Sequence, residues 1–182
     1  ELNAKGFTQG LINKALKAQA LRLNLAPIQP VLRPRYNYAP PHFSQPQQKI
    51  LEEFATFIKA RQFKVALLQG VTGSGKTEIY FKLLADLIKQ EEKGQILILL
   101  PEILLGQQFA EKFKKRFGSE PVFWQSQLSL PQKKQVWDGL VSGQEQVIVG
   151  ARSALFLPYY NLRLIILDEE HDNSYKQTES PA

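Results

Sequence analysis

The sequence predicts an α/β fold in which helices cover both faces of a parallel central sheet. Short apolar runs, which are typical of buried parallel strands, alternate with amphipathic helical segments. A glycine-rich loop at residues 70–77 connects one of these runs to a helix, and the last run ends in the adjacent acids Asp168 and Glu169. Because ligands bind at the carboxyl ends of parallel strands, we expect the loop and the acids to lie at one edge of the sheet.

The composition fits one globular domain and gives a weak indication of a polyanionic partner. The 182 residues are 43% hydrophobic and carry a net charge of +6. No apolar run approaches the roughly 18 residues of a membrane helix, and the first residues do not have the pattern of a secretory signal. The chain has no cysteine, which excludes disulfides and cysteine-bound zinc within this stretch and favours a cytoplasmic location. It does not begin with methionine, so we expect a piece of a longer chain.

Three segments of the chain differ in composition. We expect residues 1–26 to be a fragment of a preceding domain, because the patterns there are too short to bury a core. Residues 27–43 form a proline-rich linker, and residues 44–182 form the compact domain. Basic residues alternate with tyrosines at the end of the linker (Arg33, Arg35, Tyr36 and Tyr38). This alternation is compatible with nucleic-acid binding, but packing of the tyrosines on the following domain is the preferred interpretation.

The hydrophobic periodicity of the compact domain predicts four helices and five strands. Ser44 is the expected N-cap of the first helix, whose apolar face extends to about Arg61. The other helices are expected at 78–93, 106–117 and 130–141. The strands are expected at 64–69, 95–101, 121–124, 146–150 and 162–168.

The loop fits the pattern G-x-x-x-x-G-K-[ST] at every fixed position, from Gly70 to Thr77. Its glycines allow backbone N–H groups to approach a phosphate, and the following helix adds partial positive charge. Lys76 is expected to reach the β- and γ-phosphates, and the Thr77 hydroxyl is placed to bind Mg²⁺. The residues that we expect to bind the nucleotide are Gly70, Thr72, Gly73, Ser74, Gly75, Lys76 and Thr77. The sequence therefore predicts a P-loop NTPase that binds a nucleoside triphosphate.

The acids at the end of the last strand complete the predicted site. An aspartate at this position holds the water shell of Mg²⁺, and an adjacent glutamate takes a proton from the attacking water. Asp168 is therefore the expected metal residue and Glu169 the expected base. The alternative is a pair of acids at a strand end that only faces solvent.

The run Asp168–His171 resembles the D-E-x-H box of superfamily 2 helicases. With the continuation to Gln177, it resembles more narrowly the family of bacterial primosomal replication-restart helicases, a DEAD/DEAH-like group. The phosphate loop with Glu78, the run Leu100–Ile103 and the run Val149–Phe156 also agree. The resemblance covers roughly residues 44–178.

This resemblance implies the first RecA-like lobe, with a three-layer fold, of an ATP-dependent 3'-5' DNA helicase that restarts replication at stalled forks. Lys76 and Thr77 would hold ATP with Mg²⁺, Asp168 the metal, and Glu169 the attacking water. His171 would couple the nucleotide state to the DNA side, and Gln48 would read the adenine.

The resemblance also assigns contacts with single-stranded DNA to Pro101, Glu102, Arg152 and Ser153. This sequence departs from the family pattern at Leu104, Gly106 and Ala151, where hydroxyl residues are expected. Phosphate contacts would then depend on Arg152, Ser153 and backbone N–H groups. Arg152 as a structural ion-pair partner is the alternative.

Further parts are implied outside this stretch: a second ATPase lobe with arginine fingers, zinc-binding cysteines, and a winged-helix module ending near residue 26. The implied partners are forked and single-stranded DNA, primosome proteins and single-strand-binding proteins. The isolated lobe is expected to hydrolyse little ATP. Two alternatives stay open: another superfamily 2 repair or branch-migration translocase, and a P-loop small-molecule kinase or nucleotide-gated binding module. The run Ser174–Gln177 argues against the first, and the acid box argues against the second.

Overall fold

A computed structural model describes residues 36–60, 62–90, 94–101 and 107–175, together with residues 8, 10, 11, 13 and 14. The chain divides into two compact units, Glu1–Leu32 and Arg33–Ala182. In the first unit, the Leu11 amide donates a hydrogen bond to the Thr8 carbonyl at 3.0 Å. The predicted boundaries at residues 26 and 43 stay a prediction. None of the helices in the described part of the chain has the length and apolar character needed to cross a membrane.

Four parallel strands form the sheet of the second unit, in the order β2-β3-β1-β4. In chain order they are β1 (Gln95–Leu99), β2 (Val122–Trp124), β3 (Val147–Gly150) and β4 (Leu162–Leu167). Leu99 lies opposite both Gly150 and Leu167, and Trp124 also lies opposite Gly150. The carboxyl ends of all four strands are therefore level, so the residues that follow them share one edge of the sheet.

All four predicted helices are present: α1 (Gln45–Ala60), α2 (Lys76–Gln90), α3 (Gln107–Phe117) and α4 (Leu130–Val141). Two short 3₁₀ helices, η1 (Arg152–Phe156) and η2 (Asn173–Tyr175), follow β3 and β4. The predicted helix ends at Arg61, at residues 91–93 and at residue 106 lie outside the described residues.

The core consists of two clusters, one on each face of the sheet. Side chains of a strand point alternately to its two faces, and β1 follows this rule. Ile96 and Ile98 pack with the phenylalanines of α2 and α3, whereas Leu97 and Leu99 pack with Leu140 of α4 and with η1. On the first face, the rings of Phe113 and Phe117 stack at 4.3 Å. The predicted three-layer α/β architecture is confirmed.

The end of the linker packs against the carboxyl end of α3. The ring centroid of Tyr38 lies 5.1 Å from that of Phe117, and that of Tyr36 lies 5.7 Å from that of Phe113. The amides of Asn37 and Ala39 donate to carbonyls of the last turn of α3, at 2.8 and 2.7 Å, and so satisfy acceptors that a helix end leaves unpaired. Burial raises the pKa of Tyr38 to about 12. The preferred interpretation of the two tyrosines is confirmed, while Arg33 and Arg35 lie outside the described residues.

The predicted strand at 64–69 is wrong. This segment has no regular secondary structure, and the side chains of Val65 and Leu67 are 84% and 65% exposed. A β-strand requires backbone hydrogen bonds to a neighbouring strand. No strand among the described residues pairs with this segment. The segment is apolar, as the prediction assumed, but no strand in the described part of the chain lies beside it to form backbone hydrogen bonds.

Glu145 has a buried side chain and follows the last residue of α4 in the turn before β3. It lies so close to Gly139 that a Cβ on that glycine would come within 2.5 Å of the Glu145 Cγ. Burial raises the pKa of the Glu145 carboxyl. The folded-state pKa of Glu145 exceeds the unfolded-state value of about 4.3. The protonated carboxyl therefore contributes fully to the stability of the fold below that value, and this contribution is lost as the pH rises through the folded-state pKa.

Replacing Glu145 with glutamine is therefore expected to stabilise the fold at pH 7.5 and to give no gain at pH 4. The amide keeps the shape of the side chain but has no charge to desolvate. Thermal unfolding followed by circular dichroism at both pH values measures the effect. Glu111→Gln, on the exposed side of α3, is the matched control and should show no such pH dependence. A lower melting temperature of Glu145→Gln at pH 7.5 would mean that the carboxylate makes a stabilising contact.

Candidate nucleotide-binding site

The glycine loop lies open to solvent at the start of α2. Gly73 and Gly75 have φ angles of 81° and 88°, in the left-handed region that side chains other than glycine rarely adopt. At Gly70, a Cβ would come within 2.6 Å of the Ser74 Oγ. The turn therefore needs glycine at these positions, and it directs the first N–H groups of α2 towards the space above the loop.

Lys76 folds back over this loop. Its Nζ donates to the carbonyl of Gly70 at 2.7 Å and to that of Val71 at 3.3 Å. The ammonium thus lies at the mouth of the loop, where its charge adds to the partial positive charge of the helix N-terminus. Both favour a polyphosphate.

Two neighbouring glutamines at the start of α1 make different contacts. Gln47 Nε2 donates to the carbonyl of Ser74 at 2.9 Å, and its Oε1 accepts a hydrogen bond from the Ser44 amide at 2.9 Å. Gln48, the predicted adenine reader, donates to the carbonyl of Phe43 at 3.1 Å. Sequence reasoning missed the contact of Gln47 with the loop. The spacing Ser44-x-x-Gln47, which is that of a capping box, accounts for the bond with the Ser44 amide but gives no signal for the contact with the loop.

Asp168 directly follows β4 and is held by four hydrogen bonds. Its amide donates to the Leu99 carbonyl at 3.1 Å, and its carbonyl accepts from the Tyr175 hydroxyl at 2.9 Å. In the side chain, Oδ1 accepts from the Glu169 amide at 3.1 Å and Oδ2 accepts from the Tyr80 hydroxyl at 3.0 Å. Both tyrosines were missed as site residues: Tyr80 has the pattern of an apolar helix position, and Tyr175 was used only as part of the run Ser174–Gln177 that carries the family resemblance.

The Tyr80 hydroxyl joins the phosphate-loop helix to the end of β4. Tyr80 lies three residues after Thr77 on α2, and its hydroxyl donates to Asp168 Oδ2 at 3.0 Å. The two predicted metal residues therefore lie on elements that this hydrogen bond connects. The described residues contain no cluster of three or more histidines or acids that could hold a metal ion. One hydroxyl and one carboxylate fit Mg²⁺, because this ion keeps several waters and takes the rest of its ligands from substrate phosphates.

Glu169 and His171 lie beside each other at the same edge of the sheet. Glu169 is the one described residue other than glycine with a positive φ, 51°, and such conformations cluster at functional sites. His171 is exposed, and its Nε2 lies 3.6 Å from Glu169 Oε2. The predicted base and the predicted coupling residue are therefore neighbours in space as well as in sequence.

The residues predicted to contact DNA follow other strands at this edge. Pro101 is buried after β1, and Glu102 lies outside the described residues. Arg152 and Ser153 are exposed at the start of η1, which packs so closely on β3 that a Cβ at Gly150 would come within 2.6 Å of the Ala154 Cβ. Within the described ranges no ion pair involves Arg152, which weakens its interpretation as a structural ion-pair partner.

Comparison with known proteins gives a family match over most of the chain. A family model described as DEAD/DEAH box helicase matches residues 44–180. The chain is also similar to proteins named Replication restart protein PriA. Identity is 49% over 140 residues for Rickettsia prowazekii, 41% over 172 for Synechocystis and 42% over 135 for Bacillus subtilis. These alignments cover 76%, 94% and 74% of this chain but 21%, 20% and 16% of the relatives. The chain therefore spans about a fifth of the length of the relatives that it matches.

Proposed function

The chain belongs to the DEAD/DEAH box helicase family, and from this premise we propose that it is the first ATP-binding lobe of a replication-restart DNA helicase. The observation that carries the proposal is the hydrogen bond that joins Asp168 to Tyr80 on the phosphate-loop helix. It brings together two parts of the chain that an ATP-driven motor needs at one site. The names of the relatives support the restart role.

In this proposal each site residue has a role in binding or hydrolysing ATP. The loop from Gly70 to Gly75 holds the phosphates through its backbone N–H groups, and Lys76 binds them by charge. Thr77 and Asp168 hold Mg²⁺, which would neutralise the charge of the phosphates. Glu169 accepts the proton of the attacking water. Gln48, with Gln47 beside it, contacts the adenine side of the nucleotide.

The DNA side of the proposed motor is the level edge formed by the strand ends. Arg152 and Ser153 are exposed there, and residues of this kind bind phosphates through charge and hydroxyl groups. His171 is exposed, and its Nε2 lies 3.6 Å from Oε2 of the proposed base Glu169. In this proposal, movement of the residues that bind DNA changes the position of Glu169 through its contact with His171.

The whole protein is proposed to unwind forks in the 3'-5' direction, together with a second lobe that supplies an arginine to the transition state. Such arginine fingers change rates by about 10³–10⁵-fold, so this lobe alone should hydrolyse little ATP. Forked and single-stranded DNA, primosome proteins and single-strand-binding proteins are the proposed partners. Zinc is proposed only outside this stretch, and the proposed location is the cytoplasm.

ATP turnover of the full-length protein, measured with and without forked DNA, tests this function. We expect forked DNA to raise the rate by about 10-fold or more, equivalent to at least about 1.4 kcal/mol of barrier. Blunt duplex DNA of the same length is the control. Turnover that forked DNA leaves unchanged, or transfer of phosphate to a small molecule, would instead favour a P-loop kinase.

A further inference from the structure

We propose that Tyr80 is the positioning residue of the magnesium–nucleotide site: its hydroxyl fixes the Asp168 carboxylate relative to α2, the helix that carries Thr77. The inference rests on the proposed function, because it concerns the metal that ATP brings. Tyr80 itself is not expected to touch the metal. It acts through the Asp168 side chain, which would hold the metal ion.

The Tyr80 side chain is held firmly enough for this role. It is 6% exposed and belongs to the core cluster between α2 and the sheet. Its ring meets that of Phe81 edge to face, with centroids 5.2 Å apart and planes at 85°. Because the ring is packed, the hydroxyl cannot leave the end of β4 without disturbing the core.

The hydrogen bonds of Asp168 leave lone pairs of its carboxylate free for a hydrated metal ion. Each carboxylate oxygen has two lone pairs, and one of these on Oδ1 accepts from the Glu169 amide while one on Oδ2 accepts from Tyr80. Two donors, one on each carboxylate oxygen, restrict the rotation of the carboxylate plane. The remaining lone pairs are then presented in a defined direction, as in metal sites where surrounding hydrogen bonds orient the ligands.

A tyrosine that only fills the core would make a different prediction from a positioning residue. Removing the hydroxyl of a core tyrosine lowers stability, and nucleotide binding then falls equally with and without Mg²⁺. Removing the hydroxyl of a positioning residue changes only the part of nucleotide binding that depends on Mg²⁺. The two roles are therefore separated by a magnesium titration.

The experiment compares Tyr80→Phe with the wild type in the full-length protein. Binding of a fluorescent, non-hydrolysable ATP analogue is measured in EDTA and over a range of MgCl₂ concentrations. We expect unchanged binding in EDTA and an apparent Mg²⁺ affinity about 10–100-fold weaker, the range for residues that orient metal ligands. The matched control is Tyr36→Phe, since Tyr36 packs in the same cluster and its hydroxyl has no hydrogen-bond partner among the described residues.

A double variant tests whether Tyr80 acts through Asp168. Adding Tyr80→Phe to Asp168→Asn should weaken Mg²⁺ affinity no further than Asp168→Asn alone, because coupled residues are not additive. A wild-type Mg²⁺ dependence in Tyr80→Phe, or an equal loss with and without Mg²⁺, would overturn the inference alone. If the wild type itself binds the analogue without any effect of Mg²⁺, the proposed function fails as well.

Discussion

Replacing Lys76 with alanine in the full-length protein is expected to abolish ATP turnover while sparing much of the binding to forked DNA. The Lys76 ammonium lies over the loop carbonyls of Gly70 and Val71, where in the proposed function it would meet the developing charge of the transferred phosphate. Loss of one such positioned donor typically costs about 10²–10³-fold in rate. The proposed DNA contacts lie elsewhere, after β1 and β3, so they should persist.

Steady-state turnover and fork binding by fluorescence anisotropy measure the two effects separately. Lys89→Ala is the matched control, because Lys89 is an exposed lysine in the last turn of the same helix. It removes an equal charge from α2 without touching the loop and should turn over ATP normally. Normal unwinding of forks by Lys76→Ala would mean that this loop does not drive the motor.

Most of the fold could be predicted because the local patterns agree with the tertiary contacts. The apolar run of β1 is buried between two neighbours, and α4 begins and ends at the predicted residues 130 and 141. The run at 64–69 has the same local signal, yet Val65 and Leu67 are exposed. Hydrophobic periodicity records that a segment can be buried, but the strand also requires a partner that the local sequence does not specify.

The candidate site could be predicted only as far as its motifs. The glycines, Lys76 and Thr77 follow from local backbone geometry and charge, and Asp168 follows from the end of a strand. Tyr80 and Gln47 depend on contacts between residues far apart in the chain. A tyrosine on the inner face of a helix has the same pattern whether its hydroxyl holds a carboxylate or only fills space.

Gln95 is a further residue whose role the sequence did not indicate. It begins the buried strand β1 and is itself fully buried. Its Nε2 donates to the carbonyls of Leu140 and Glu145 at 3.0 and 2.9 Å. Its Oε1 accepts from the Asn161 amide at 2.9 Å. One side chain thus satisfies three backbone groups from the end of α4, the turn before β3 and the start of β4.

Gln95→Leu is expected to destabilise the fold by about 3–5 kcal/mol, because each buried polar group left without a partner costs about 1–3 kcal/mol. Urea unfolding of the 182-residue chain measures the free energy, and Gln135→Leu on the exposed face of α4 is the matched control. A loss similar to that of the control would mean that water replaces the Gln95 amide. A loss of the expected size would mean that the fold uses this amide to join the three segments. The positions of α4 and of β4, which Asp168 directly follows, would then depend on a residue that no motif identifies.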